Sequence, residues 1–423
     1  MNTFRWISLL LFAVLSSDPT PAQGQTTQSG QSSPFSQAKF VPDISLILDC
    51  SYLLRSLPDD SYAILGIPGS HSSHEEDGSH RGFNLNYAEI TFYSIVDPYF
   101  ELFAVCHVSE HHFHLEEAYW LTKKFPAGFQ LKIGKFLSSF GRINEQHTHY
   151  WDFADRPLVF EAAFGREGLN EIGARMTWVS PLETYLMVGG EILMGENEES
   201  FGRTGIHAEQ GPVEIGSVNG PGLVLGYCKA SFDVGDASLL LGVSACHGSA
   251  RIDEGFSAGV ADGEALAGHT TIVGGDVTMK YLFDAIRYLS VQSEFLYRTT
   301  DANRYVGATQ GSLSQIPIER RQSGFYLQAV MKTGLQWRAG LRYDALLTNE
   351  IVEGGSPLHI PERLDRLSGM VDFNPTEFSR FRIQYTYDRS RFSHTDHTFT
   401  RSAFHELSFQ VNLAIGAHGA HAF

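Results

Sequence analysis

A side-chain alternation with a period of two constrains this chain more than any other feature, and it is plainest at the C-terminal end. Glu406, Ser408, Gln410 and Asn412 fall on one face of an extended segment, and Leu407, Phe409, Val411, Leu413 and Ile415 fall on the other. Successive side chains of a strand point to opposite sides, so one face is wet and the other oily. The same pattern returns in Leu335, Trp337, Ala339, Leu341 and Tyr343 against Gln336, Arg338, Arg342 and Asp344. It returns again in Phe381, Ile383, Tyr385 and Tyr387 against Arg380, Arg382, Gln384 and Thr386, and near the start in Ile44, Leu46, Leu48 and Cys50. A soluble sandwich would bury its oily faces against a second sheet. A long series of such strands with no intervening helix is better explained by closure into a barrel, which leaves no unpaired edge.

Turn signals sit between the strands at regular intervals. Asp97-Pro98, Pro126-Ala127-Gly128, Ser180-Pro181-Leu182, Gly235-Asp236, Asp284-Ala285, Thr333-Gly334 and Asn374-Pro375-Thr376 are short. They alternate with longer polar stretches: Leu53 to Arg81, Ser138 to Leu169, Gly195 to Asn219, Gly248 to Gly268, Thr300 to Gln322, Asn349 to Pro361 and Arg389 to Ser402. One further connection, around Glu110 to Phe113, is short. Seven turns and eight loops predict an all-β chain, a single transmembrane antiparallel β-barrel of about sixteen strands, with short periplasmic turns and long external loops. A missed hairpin would move the total to about fourteen or eighteen.

Composition agrees with that reading. No segment offers the roughly 18 consecutive apolar residues of a helical span, and a mean hydropathy of -0.14 is blind to strands that alternate. Aromatics at 12% and 41 glycines suit tight turns and aromatic girdles. Residues 1–22 read as a secretory signal, with Arg5 ahead of an apolar run from Trp6 to Leu15 and small residues at Thr20 and Ala22. Residues 23–39, rich in Gln, Ser and Thr, read as a flexible leader, and 40–423 as the barrel. A net charge of -17 excludes a nucleic-acid surface, which needs clustered Lys and Arg. Cys50, Cys106 and Cys228 lie on the apolar phase of their strands and read as small lipid-facing groups with no disulfide.

Three patches resemble a known family. Ile133-Gly-Lys-Phe-Leu-Ser-Ser-Phe-Gly141, followed by His147-Thr-His149, Trp151-Asp-Phe and Asp155-Arg-Pro-Leu-Val159, is similar to porin-like bacterial outer-membrane β-barrel proteins related to the phosphate-selective porins. Asn374 to Tyr385 and the closing Gly416-Ala-His-Gly-Ala-His-Ala-Phe423 look like the late strands and terminus of a His-rich branch of such barrels. The resemblance implies a location in the bacterial outer membrane, a lumen narrowed by an inserted third loop, and passive passage of small hydrophilic solutes or ions. It also implies lipid and the barrel-insertion machinery as partners, Phe423 as the C-terminal insertion signal, and a homotrimer as a candidate assembly. Phosphate specificity does not carry over, because Lys132, Lys135, Arg175, Arg338, Arg342, Arg380 and Arg382 share the inner face with Asp49, Glu101, Glu191, Asp344 and Glu406.

The inserted-loop candidate is 138–169, with His147, His149, Trp151, Asp152, Asp155 and Arg156 as its constriction. Charges in a poorly screened pore decide selectivity, whereas the same residues on an external loop would only pack on the rim. Lys132, Arg175, Arg338, Arg342, Arg380, Arg382, Asp344 and Glu406 are the candidate lumen charges. The arginines would form an anion ladder or, on the slightly favoured reading, pair with carboxylates such as Asp344, Asp388 and Glu406. The 18 histidines cluster at His71, His74 and His80, at His107, His111, His112 and His114, at His147 with His149, and at His418 with His421. Of these, His71, His74, His80, His111, His112 and His114 are the candidate ligands of a loop-bound divalent metal of the zinc kind. No other cofactor is expected. The competing function is therefore a surface receptor that captures metal ions through its loops. Enzymatic readings are set aside, because the chain lacks both the helices of a zinc-hydrolase barrel and any nucleophile elbow.

Overall fold

The computed structural model describes residues 42–70, 79–109, 113–123, 125–197, 199–207, 214–254, 256, 263–306, 314–395 and 398–416. The signal and leader (1–22 and 23–39), Phe423, and the histidines at 71, 74, 111, 112, 418 and 421 lie outside the described residues. Sixteen antiparallel strands close on themselves. They are β1 (Asp43–Arg55), β2 (Gly82–Ile95), β3 (Phe100–Val108), β4 (Phe113–Thr122), β5 (Phe129–Leu137), β6 (Asn170–Val179), β7 (Tyr185–Leu193) and β8 (Leu223–Val234). The second half comprises β9 (Ala237–Glu254), β10 (Glu264–Leu282), β11 (Tyr288–Val306), β12 (Ser314–Lys332), β13 (Trp337–Glu353), β14 (Leu364–Thr376), β15 (Ser379–Asp388) and β16 (Phe404–Gly416). Each strand pairs with its sequence neighbours, and β16 closes on β1 with Asp49 opposite Asn412. The expected count of sixteen is met.

The outer surface is apolar because the oily phase of each strand faces away from the lumen. Ile383, Leu341, Leu413 and Ile415 are exposed, while Gln384, Arg342, Asn412 and Gln410 are buried inside. In water such a belt would cost about 25 cal/mol for each Å² of apolar surface, and a bilayer removes that cost. The chain spans the bacterial outer membrane with strands, and no helix among the described residues is long and apolar enough to cross a membrane. Cys50, Cys106 and Cys228 are partly exposed free thiols, and Cys246 is free and buried on the lumen side.

The short turns are built by their own residues. Asp97 Oδ1 accepts the amides of Tyr99 and Phe100 at 2.7 and 2.9 Å, and Asp284 Oδ1 does the same for Ile286 and Arg287, as Asx turns do. Gly235 takes φ 62° in the two-residue β8–β9 turn. At the opposite end the strands outrun the expectation. The ranges Gly248 to Gly268, Thr300 to Gln322 and Asn349 to Pro361 are largely strand, because β9 to β13 run 17 to 19 residues where about 9 to 11 suffice to cross. Beyond the bilayer the outward phase has no lipid to meet. It turns polar at Thr299, Asp301 and Asn303 on β11 and at Glu319 and Arg321 on β12, so the oily signal disappears although the strand continues. Among the described residues two short α-helices interrupt the all-strand pattern, α1 (Asp59–Ala63) in the first loop and α2 (Leu158–Phe164) in the third.

Candidate functional site

The third loop, 138–169, folds into the barrel. Its start is fixed by carboxylates on the far and near walls. Ser138 Oγ and the Ser139 amide donate to Glu191 at 2.6 and 2.9 Å. The Arg142 and Ile143 amides donate to Glu294 at 2.7 and 2.9 Å, across a turn in which Gly141 has φ 64°. Asn144 joins the two ends of the loop, donating to the carbonyls of Ser138 and Leu169 and accepting the Leu169 amide. Glu294 and Asn144 carry no motif, and neither stood out in the sequence.

Helix α2 is the apolar centre of the lumen. Pro157 precedes it, the Leu158 amide donates to Asp344 at 2.9 Å, and Gly165 ends it at φ 73°. Six of its seven residues are buried, in one cluster with Leu296, Tyr326, Leu346 and Leu364 of the wall. Ile67, Phe201 and Phe392 from the first, fourth and eighth loops join the same cluster. Ser70 and Ser200 hydroxyls donate to the carbonyls of Ala162 and Ala163, and Arg391 pairs with Glu161. Three external loops therefore close over α2.

The inward arginines hold this loop. Arg342 pairs with Asp344 at 2.9 Å and with Asp155 of the loop, whose carbonyl it also binds at 2.8 Å. Arg366 reaches Asp155 at 3.0 Å. Arg338 pairs with Asp152 at 2.9 Å and with Asp372, and Arg382 pairs with Asp372 at 2.8 Å while donating to the Trp151 carbonyl at 2.9 Å. Arg380 also donates to that carbonyl. Arg342 and Arg382 are 1% exposed. They work as clamps for the loop, and their partners are Asp152, Asp155 and Asp372 in addition to the anticipated Asp344. Among the other candidate charges, Lys132 stands over the Tyr119 ring at 3.9 Å, Arg175 pairs with Glu145, and Glu406 with Arg55.

The constriction set divides in two. His147 and Asp152 line an open cavity. His149 and Trp151 are buried. Asp155 is held between Arg342 and Arg366, and Arg156 is buried against Trp151 and donates to the Arg166 carbonyl. These four residues anchor the loop because its centre packs as a small apolar core. Burial alone would raise the Asp155 carboxyl, but Arg342 and Arg366 bring it down to about 2. Glu145 likewise falls to about 2 beside Lys229 and Arg175. Burial lowers the Arg156 guanidinium to about 10.

The cavity, of about 1150 Å³, lies under the loop at the short-turn end. Arg142, Lys280, Lys332, Arg338 and Arg380 line it, against Glu145, Asp152 and Glu377. Lys280 and Lys332 both stand over the Tyr288 ring, at 4.4 and 5.8 Å. Nothing in the sequence marks either lysine: Lys280 is the one Lys or Arg of β10, and Lys332 ends β12 far along the strand from Arg320 and Arg321.

Residues able to hold a metal come together elsewhere, on the wall of β2 to β4. Glu89, His107, Glu116 and His147 converge there. Of the candidate loop ligands, His80 is exposed, and His114 lies in strand β4 instead of a loop, where it contacts Lys135 at 2.9 Å and Glu167 at 3.5 Å.

No family model matches the chain. Among solved structures, the outer-membrane expressed OmpT of Vibrio cholerae aligns over 88% of this chain and 97% of its own at a TM-score of 0.51 and 10% identity. An anion-selective porin from Comamonas acidovorans aligns over 88% and 99% at a TM-score of 0.51 and 10% identity. Both likenesses speak to the fold, which is that of a porin-like outer-membrane barrel. An uncharacterized protein of Aquifex aeolicus (strain VF5) is 43% identical over 401 residues, which cover 93% of this chain and 82% of the relative. The chain, a sixteen-stranded outer-membrane barrel, belongs to the same family as that Aquifex aeolicus protein.

Proposed function

We propose that the barrel is a channel for passive diffusion of small hydrophilic solutes, with a preference for anions set under the third loop. The observation that carries this reading is the cavity lined by five cationic and three anionic side chains. A low-dielectric wall focuses such an excess and raises the local concentration of the opposite charge. Lys280 and Lys332, over one aromatic ring, are the residues we assign to selection. Arg338, Arg342 and Arg382 are already paired with carboxylates, which argues for general anion selection and against a phosphate-type arginine ladder. The tie to the phosphate-selective branch rests on the three sequence patches alone.

Planar-bilayer conductance of the refolded protein in asymmetric salt tests the reading. The expected result is a current whose reversal potential favours anions and shifts toward cations in the Lys280→Gln/Lys332→Gln variant. Absence of current from correctly folded wild type removes the channel, and a reversal potential unmoved by the double variant removes the assignment of the two lysines. The competing reading, metal capture by surface loops, finds less support. His80 and His114 stand outside the metal-type group found among the described residues.

A further inference from the structure

Glu89 on β2, His107 on β3, Glu116 on β4 and His147 in the third loop each offer one ligand atom, and these atoms lie within 4.8 Å of one another. His107 Nε2 is 3.2 Å from Glu89 Oε2 and 2.8 Å from Glu116 Oε2. His147 Nδ1 is 3.0 Å from Glu116 Oε2 and 3.8 Å from Glu89 Oε2. Four ligands held at about 2.0–2.1 Å from a tetrahedral zinc stand about 3.3 Å apart, so the atoms already sit near the corners of such a site. We propose that these four side chains bind one divalent first-row transition-metal ion of the zinc kind, which pins the third loop to the wall of β2 to β4.

Local structure supports the geometry. The β3–β4 register shifts between Val105, opposite Glu117, and Cys106, opposite Leu115, which leaves Glu116 as the extra residue of a bulge. A bulge re-aims a side chain, and here it turns two consecutive carboxylates inward. Glu116 meets His147 Nδ1, and Glu117 meets His147 Nε2 at 2.9 Å. A carboxylate on the outer nitrogen of a ligating histidine fixes its ring and tautomer. Thr91 donates to Glu89 Oε1 at 3.3 Å, which orients Oε2 toward the group. The Tyr87 ring stacks on His107 at 4.8 Å.

The donor chemistry selects the ion. Two imidazoles and two carboxylates suit zinc and its neighbours, whereas calcium and magnesium take oxygen donors. The two ligating carboxylates balance the two charges of the cation, and Glu117 on the outer nitrogen of His147 is one carboxylate more. The ligands come from four separate segments, and no spacing motif announces them.

Full-length refolded barrel, stripped with a chelator, is titrated with Zn²⁺ by calorimetry, and Co²⁺ uptake is followed by visible absorption. The expected result is one ion per chain, with binding weakened more than 100-fold in His107→Ala and in Glu116→Gln. Glu117→Gln should weaken it by about 10- to 100-fold. The surface variant His80→Ala/His247→Ala/His269→Ala, which removes exposed imidazoles of the first loop, β9 and β10, should bind as wild type does. In the unsubstituted barrel, Co²⁺ should give the intense bands of a four-coordinate ion. Chelation should also speed hydrogen exchange in residues 144–152. A hydrogen-bonded His–Glu cluster only would show no stoichiometric binding and no exchange change, and this result overturns the proposal. Binding lost in the surface variant but kept in the inner ones overturns it as well. Where the inner variants do not fold, a weak six-coordinate Co²⁺ spectrum in the wild type is the overturning outcome.

Discussion

Single charged residues in this barrel work mainly as fasteners. Asp372 is fully buried between Arg338 and Arg382, and through them it supports Asp152 and the Trp151 carbonyl of the third loop. Removing one member of a buried ion pair strands the other, at a cost of about 3–5 kcal/mol. Asp372→Asn should therefore lower barrel stability by about 3 kcal/mol, read as a lower urea midpoint in detergent, and should loosen the loop. An unchanged midpoint would show that Arg382 finds another partner. Arginine positions 338, 342, 380 and 382 were legible in the sequence as inward-facing, because strand periodicity fixes the side of the sheet. Their partners were not, since Asp152 and Asp155 approach from a loop that lies far away along the chain.

At the scale of elements, the third loop depends on the turn that starts it. Gly141 has φ 64°, and a Cβ added there would collide with Glu294 Oε2. Left-handed backbone strains an L-residue by about 1–3 kcal/mol, and the collision would also displace the carboxylate that accepts the Arg142 and Ile143 amides. Gly141→Ala should lift this end of the loop while leaving the strand ladder intact. Limited proteolysis should then cut between 141 and 157 in the variant and not in wild type, with far-ultraviolet circular dichroism unchanged. The strands themselves were readable where their outward face meets lipid. Their outer ends in β9 to β13 carry no strand signal, since a strand standing clear of the bilayer has no reason to keep an oily face.

For the whole molecule, acid is the informative variable. Asp155 and Glu145 have folded values of about 2, below the ordinary carboxylate range, because of the cations beside them. A depressed carboxyl contributes stability that is fully present above its unfolded value, about 4, and is lost as pH falls through the folded value. The loop should accordingly stay docked from pH 8 to about 5 and release only in the window from about 4 down to about 2, monitored by hydrogen exchange across 138–169. Release near pH 6 would mean that these ion pairs do not hold it. Sequence alone determined the class of fold, the sixteen strands, the membrane they cross and the side on which most charges lie, because a period of two is a local property written residue by residue; Lys135, read with Lys132 as inward, instead lies opposite the exposed Ile172 and faces out. Only the tertiary structure decided what fills the lumen. Whether an inward Arg meets solvent or Asp155, and whether Glu89, His107, Glu116 and His147 share one point, depends on loop packing and on a single bulge, which bring together residues that no local pattern relates.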